Sequence, residues 1–170
     1  MFKCVLCEEV ILAEHKSSSC PFCGAHDDYI IRVKDWSEKK DSKEMSKETI
    51  ESLEKALNIE LENACFYRCA VSHAQDLVKK SIFQSFLKIK MQHVMLVSKL
   101  LKKPNQNSTL QDICFRLDYE NIKDSLNREI KAKEFYEKVY NDTTEPRIKE
   151  VFFGLIEAQG DHIALLKEEM

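Results

Sequence analysis

The stretch LNIELENACFY at residues 57–67 returns as LNREIKAKEFY at residues 126–136, with its Leu-Asn, Glu and Phe-Tyr positions unchanged. The second copy lies 69 positions further along the chain, and the same 69 positions separate His93 from His162. The chain therefore contains a doubled pair of helical segments, each with one glutamate and one histidine. Such a doubling predicts a four-helix bundle, a fold that can hold a two-metal site in its core.

Length, composition and charge restrict the class of protein. The 170 residues are 44% hydrophobic and 32% charged, with only three Gly and three Pro, which favours one or two small and mainly helical domains. A net charge of -3 argues against nucleic-acid and acidic-membrane partners. No apolar run approaches the roughly 20 residues of a membrane span, and no secretory signal pattern is present. We expect a cytoplasmic protein.

Apolar periodicity predicts four helices, over about residues 46–74, 81–102, 118–140 and 145–167. Ser46 and Thr144 are the expected N-caps of the first and last of them. Short connections predict that the first two helices, and likewise the last two, form antiparallel hairpins. The middle connection, about 15 residues, is long enough to cross the bundle and leave the second and third helices parallel.

Two Cys-x-x-Cys pairs precede the helices: Cys4 with Cys7, and Cys20 with Cys23, twelve residues later. Four thiolates at this spacing predict one tetrahedral metal site, and both iron and zinc accept it. Gly24 follows the second pair, where a positive φ is common, and Glu8 holds the equivalent position after the first pair.

We divide the chain accordingly into a Cys4 metal domain at 1–36, a charged linker at 37–47 and a four-helix bundle at 48–170. Without a secretory signal, the cysteines are expected to be metal ligands and not disulfides. Three of them lie outside the Cys4 pattern and are predicted to be small apolar core residues: Cys65, Cys69 and Cys114. His73 is expected to face solvent.

Helical spacing places six polar residues on otherwise apolar helix faces at about the same level: Glu60, Lys90, His93, Glu129, Gln159 and His162. A buried carboxylate without a partner is costly, so two glutamates and two histidines at repeat-related positions indicate a metal site or its remnant. Tyr67 and Tyr136, two turns beyond the glutamates, are expected to donate hydrogen bonds to them or simply to fill the core.

A di-iron site of this type needs a glutamate three residues before each histidine, and here those positions hold Lys90 and Gln159. The missing carboxylates are the ones that bridge and neutralise two metals. Lys90 is instead expected to form an ion pair with Glu60 or Glu129 and to hold the core without metal. A single metal held by Glu129, Gln159 and His162 is the alternative.

The cysteine spacing and the doubled Glu…His helices together resemble the rubrerythrin family over nearly the whole chain. Residues 2–31 look like a rubredoxin-like domain and residues 48–168 like a ferritin-like bundle, in the order of reverse rubrerythrins. The resemblance implies a homodimeric peroxide reductase of oxidative-stress defence. In such enzymes electrons enter at the rubredoxin iron and pass to a di-iron site, often across the dimer interface.

Carried over residue by residue, the resemblance assigns the rubredoxin ligands to the four N-terminal cysteines and the bundle ligands to Glu60, His93, Glu129 and His162. The departures from the family pattern are Lys90, Gln159 and Ala132. Three functions therefore stay open. The first is an electron carrier with one iron on a metal-free bundle, served by a redox partner protein. The second is an active peroxide reductase, and the third a zinc-stabilised structural or interaction module.

Overall fold

A computed structural model describes residues 1–37, 45–104 and 113–170. The chain is mainly helical, with a small antiparallel sheet at its N-terminus in the strand order β2-β1-β3. The strands are β1 (Phe2–Cys4), β2 (Val10–Ile11) and β3 (Ile30–Arg32). The helices are α1 (Lys47–His73), α2 (Leu77–Leu100), α3 (Asp118–Asp142) and α4 (Pro146–Glu168).

Two of the four helix starts, those of α1 and α3, match the predicted residues. Ser46 caps α1 as predicted, because its side chain accepts a hydrogen bond from the backbone N–H of Thr49 at 3.1 Å. Helix α2 begins earlier than the predicted residue 81, because Asp76 accepts from the N–H of Lys79 at 2.9 Å and starts the helix at Leu77.

The start of α4 differs slightly from the prediction. Its N-cap is Glu145, not Thr144, and no side-chain bond caps the helix. Pro146 occupies the first turn, where the absence of its N–H leaves no intrahelical bond unmade. The predicted linker at 37–47 lies mostly outside the described residues, as does the polar run after Pro104.

Hydrogen bonds across the core fix the helix directions. Tyr67 on α1 reaches Glu129 on α3, and Tyr136 on α3 reaches Glu60 on α1, so these two helices run antiparallel. Because α1 also runs antiparallel to α2 through a three-residue connection, α2 and α3 are parallel, as predicted. None of the helices in the described ranges is long and apolar enough to cross a bilayer.

The N-terminal region (residues 1–36) packs against α2 and α4. Leu6 lies over Gly154 of α4, and its carbonyl oxygen accepts a hydrogen bond from Arg147 at 2.9 Å. A second contact with α4 is made by His26, whose Nε2 lies 2.8 Å from a carboxylate oxygen of Asp161.

The contact at Gly154 can be tested with a matched pair of glycines on α4. A Cβ at Gly154 would overlap with Cδ1 of Leu6, whereas a Cβ at Gly160 would meet nothing within 4 Å. Gly160→Ala should stabilise the protein by up to about 1 kcal/mol through helix propensity. Gly154→Ala gains the same propensity term but should lose about 1–3 kcal/mol to overpacking. Urea unfolding of both variants checks the difference, and equal stabilities would contradict this packing.

Candidate metal centre and buried charged core

The four N-terminal cysteines come together as one cluster. Sγ of Cys4 lies 3.8 Å from Sγ of Cys23, and Sγ of Cys7 lies 3.7 Å from Sγ of Cys20. A tetrahedral site with metal–sulfur bonds of about 2.3 Å has sulfur–sulfur edges of about 3.8 Å. The spacing therefore suits one tetrahedral metal ion, as the sequence predicts. Three of these cysteines are buried, and Cys7 is partly exposed.

Two equivalent turns place the sulfur atoms. The N–H of Glu8 donates to the carbonyl of Cys4 at 2.9 Å, and the N–H of Gly24 donates to the carbonyl of Cys20 at 2.9 Å. Both residues have positive φ, 65° for Glu8 and 76° for Gly24. The left-handed conformation costs a non-glycine residue about 1 kcal/mol. The Glu8 carboxylate pairs with Lys99, which offsets its negative charge beside the sulfurs.

The six polar residues predicted to share one level of the bundle are all buried: Glu60, Lys90, His93, Glu129, Gln159 and His162. Both tyrosines donate to glutamates, but across the bundle and not along their own helix. Tyr136 Oη lies 2.6 Å from Glu60, and Tyr67 Oη lies 2.7 Å from Glu129. The internal repeat thus survives as a two-fold pattern of hydrogen bonds.

Lys90 occupies the centre of this pattern with no exposed side-chain surface. Its Nζ lies 2.7 Å from Glu129, 3.1 Å from Oε1 of Gln159 and 3.7 Å from Glu60. Burial by itself would raise the pKa of both glutamates, but the charge on Lys90 and hydrogen bonds from neighbouring side chains hold each pKa below its usual value. Both carboxyls are therefore ionised, and Lys90 makes the predicted ion pair.

His93 connects the buried core to the cysteine cluster. Its Nδ1 lies 3.1 Å from Oε1 of Glu60, and its Nε2 lies 2.8 Å from the carbonyl oxygen of Cys23. A carboxylate and a carbonyl only accept hydrogen bonds, so the ring donates from both nitrogens and carries a positive charge. Sequence reasoning missed this contact, because nothing in the local pattern around His93 refers to a residue 70 positions away.

His162, the repeat-related partner of His93, has a different state. Burial lowers the pKa of His162 despite the opposing effect of Glu129, so the ring is neutral and donates from Nδ1 to Glu129 at 3.1 Å. Two carboxylates then face two cations, Lys90 and His93. The buried cluster is balanced in charge without any metal.

This arrangement does not fit a di-metal site. The Lys90 ammonium already takes the oxygen atoms of Glu129 and Gln159 that a metal would need, so the alternative single ion would have to displace it. Both ring nitrogens of His93 are engaged with protein oxygen atoms. Among the described residues, Oε2 of Glu60 and Nε2 of Gln159 have no hydrogen-bond partner. Each of these two side chains is therefore held by hydrogen bonds to its Oε1 atom alone.

The prediction for the remaining cysteines is wrong for two of them. Cys69 and Cys114 form a disulfide with a Cα–Cα distance of 5.7 Å, so they are not separate apolar core residues. The sequence separation of 45 residues concealed the pairing, which depends on the segment before α3 folding back onto the end of α1. His73 is exposed as predicted, yet its ring also touches both sulfurs. Cys65 is buried, as predicted.

Comparison with known proteins gives no match of any kind to a family model. No curated protein matches the chain either. The geometry of the Cys4 cluster and of the charged core is therefore the basis for assigning a function.

Lys90 can be tested against an exposed lysine on the same helix. Lys90→Met should destabilise the protein by about 3–5 kcal/mol, because it leaves two buried carboxylates without their shared cation. Lys88→Met, at an exposed position, should change stability by no more than about 0.5 kcal/mol. Chemical unfolding of the two variants measures the difference. Equal stabilities would mean that the buried glutamates do not depend on Lys90.

Acidification should also destabilise the folded protein through His162. Because the pKa of His162 is lowered in the folded protein, its imidazole binds a proton at about pH 6.5 only in the unfolded chain. The free energy of unfolding therefore falls as the pH drops below that value. The stabilisation from Glu129 is lost at still lower pH. In unfolding experiments between pH 8 and 5, His162→Gln should remove the first part of the fall. The control His15→Gln, at an exposed site, should retain it.

Proposed function

We propose that this chain is an electron carrier with one iron in the Cys4 cluster and a metal-free helical bundle that supports it. The main observation behind this proposal is that the buried Lys90 ammonium lies among Glu129, Gln159 and Glu60. The four cysteines of the Cys4 cluster, by contrast, are all in place for a metal ion. We further propose that the chain derives from the rubrerythrin family, with a rubredoxin-like domain and a ferritin-like bundle that lost its di-iron site.

The burial of the cluster supports an electron-transfer role. Four thiolates hold iron in the same tetrahedral arrangement in both of its oxidation states, so iron there supplies one-electron chemistry. Cys4, Cys20 and Cys23 are buried, which excludes water, whereas Cys7 is partly exposed. A redox partner can therefore approach the edge of the cluster at Cys7.

The attachment of the cluster to the bundle supports the same proposal. His93 donates to the carbonyl of Cys23. Gly24 packs against α4, since a Cβ added to Gly24 would lie 3.3 Å from Cβ of Ala158. These contacts hold the cluster in one position on α2 and α4. Because the bundle offers an ion pair and not a second metal site, we propose that electrons leave to a partner protein in the cytoplasm. A homodimer is part of this proposal.

A zinc-stabilised structural or interaction module is the second candidate. The cysteine geometry suits zinc as well as iron. In addition, the described part of the charged core holds an ion-pair network where a second redox metal would lie, since Lys90 and His93 are cations held by carboxylates. A peroxide reductase is the third and is disfavoured, because its chemistry needs the bridging carboxylates that Lys90 and Gln159 replace.

Elemental analysis of protein purified without air distinguishes the three functions. We expect one iron per chain, with a thiolate-to-iron absorption band on oxidation and reversible one-electron reduction. One zinc and no iron would support the structural module instead. A larger iron content, with rapid oxidation by peroxide, would mean that the bundle is a catalytic centre and that the proposal is wrong.

The same measurement on a double variant tests the role assigned to Lys90. Lys90→Glu with Gln159→Glu restores the bridging pair and should raise iron uptake above one per chain. A control with the same change of charge, Lys88→Glu with Gln84→Glu, alters only exposed positions of α2 and should leave iron uptake unchanged. No increase in the first variant would show that Lys90 is not what keeps the bundle free of metal.

A further inference from the structure

Three potential metal ligands meet at the end of α1, away from the Cys4 cluster. Cys69 and His73 lie one turn apart on this helix, and Cys114 comes from the irregular segment before α3. Nδ1 of His73 is 3.8 Å from Sγ of Cys69 and 3.7 Å from Sγ of Cys114. Neither the proposed electron carrier nor the charged core uses these residues.

We propose that Cys69, His73 and Cys114 form a second metal site, specific for a thiophilic divalent cation such as Zn²⁺ and available only when the disulfide is reduced. In the oxidised protein the two sulfurs bond to each other. In the reduced protein they are thiolate ligands, and His73 supplies the third. The oxidation state of the cysteines therefore decides whether the metal binds.

The distances support this assignment. A tetrahedral site with zinc–sulfur bonds of about 2.3 Å and a zinc–nitrogen bond of about 2.0 Å has nitrogen–sulfur edges of about 3.5 Å. His73 already lies at nearly this distance from both sulfurs. Only the sulfur–sulfur separation has to increase, to about the 3.7–3.8 Å of the N-terminal cysteine pairs. Cys114 lies outside any helix or strand, so its segment can supply that movement.

The chemistry balances with a dithiol reductant. Reduction breaks the Cys69–Cys114 bond with two electrons and two protons, and the reductant becomes a disulfide. Zn²⁺ then displaces both thiol protons and binds two thiolates. Two negative charges and a neutral imidazole give a complex with no net charge. Because His73 is exposed and Cys114 partly exposed, water can complete the coordination.

His73 must change its tautomer for this to happen. In the oxidised protein its Nδ1 lies 3.0 Å from the carbonyl oxygen of Cys69, which only accepts, so Nδ1 carries the proton. Metal binding at Nδ1 requires the proton on Nε2 instead. The ring is exposed, so water can exchange the two protons. The hydroxyl of Ser72 already donates to the same carbonyl at 2.7 Å and continues to satisfy it.

The site is placed where a cross-link has a structural role. Asp118, the first residue of α3, accepts hydrogen bonds from the N–H groups of Gln75 and Asp76 in the turn between α1 and α2. The disulfide reinforces this junction in the oxidised protein. A metal bound by the same cysteines would tie the same segments together after reduction.

Zinc titration of the full-length chain tests the proposal. Protein with its Cys4 cluster already loaded is prepared with the disulfide intact, and in parallel is reduced without air and freed of reductant. Calorimetric titration with Zn²⁺ should show one further ion per chain in the reduced sample and none in the oxidised one. Counting free thiols before titration confirms that reduction released two of them.

Variants assign the ion to the three residues. Cys114→Ser should abolish the additional binding. His73→Ala keeps the disulfide and so the fold. Loss of a residue that only orients a metal ligand weakens metal binding roughly 10–100-fold, and loss of the ligand His73 itself should weaken zinc binding by at least that much. Cys65→Ser, one turn before Cys69 on the same helix, is the matched control and should bind the further ion unchanged.

Several results would overturn the proposal. They are the absence of further binding after reduction, equal binding in the oxidised protein, and full binding in both His73→Ala and Cys114→Ser. The metal of the Cys4 cluster is counted separately before each titration. Failure of this inference is therefore distinguishable from failure of the proposed electron carrier, which depends only on that first metal.

Discussion

The buried ion pair of Lys90 with Glu129, and its longer contact with Glu60, is the constraint on which the helical core depends. Two ionised carboxylates inside an apolar bundle are tolerated only if cations and hydrogen-bond donors satisfy them. Lys90 supplies the shared cation, and the two tyrosines and two histidines supply the other donors. In this bundle the protein's own side chains provide the positive charge that metals provide in a di-metal bundle.

The same network extends to the N-terminal cysteines. His93 receives its orientation from Glu60 and donates to the carbonyl of Cys23, so the position of the cluster is coupled to the charged core. The close packing of Leu6 on Gly154 completes this attachment. The cysteine region and the helical bundle are therefore packed together through specific contacts. Because of these contacts, the proposed function concerns the whole chain and not the cysteine region alone.

Much of the fold and part of the site follow from local rules. Periodicity located the four helices, and the repeat identified the six polar residues that the structure buries at one level, because helical geometry places residues along one face whatever lies opposite. The N-cap residues Asp76 and Glu145 were missed, since capping depends on the exact backbone path at the turn. Donation from the tyrosines to the glutamates was predicted, but not that each bond crosses from one helix to another.

The sequence by itself determined the Cys-x-x-Cys spacing, the apolar stripes and the replacement of bridging carboxylates by Lys90 and Gln159. Each of these is a property of nearby positions, where backbone geometry converts sequence distance into spatial distance. Only the tertiary structure decided that Nζ of Lys90 lies closest to Glu129, that His93 reaches Cys23, and that Cys69 bonds to Cys114. These contacts join residues 39, 70 and 45 positions apart, and the packing of whole elements, not the local chain, sets such distances.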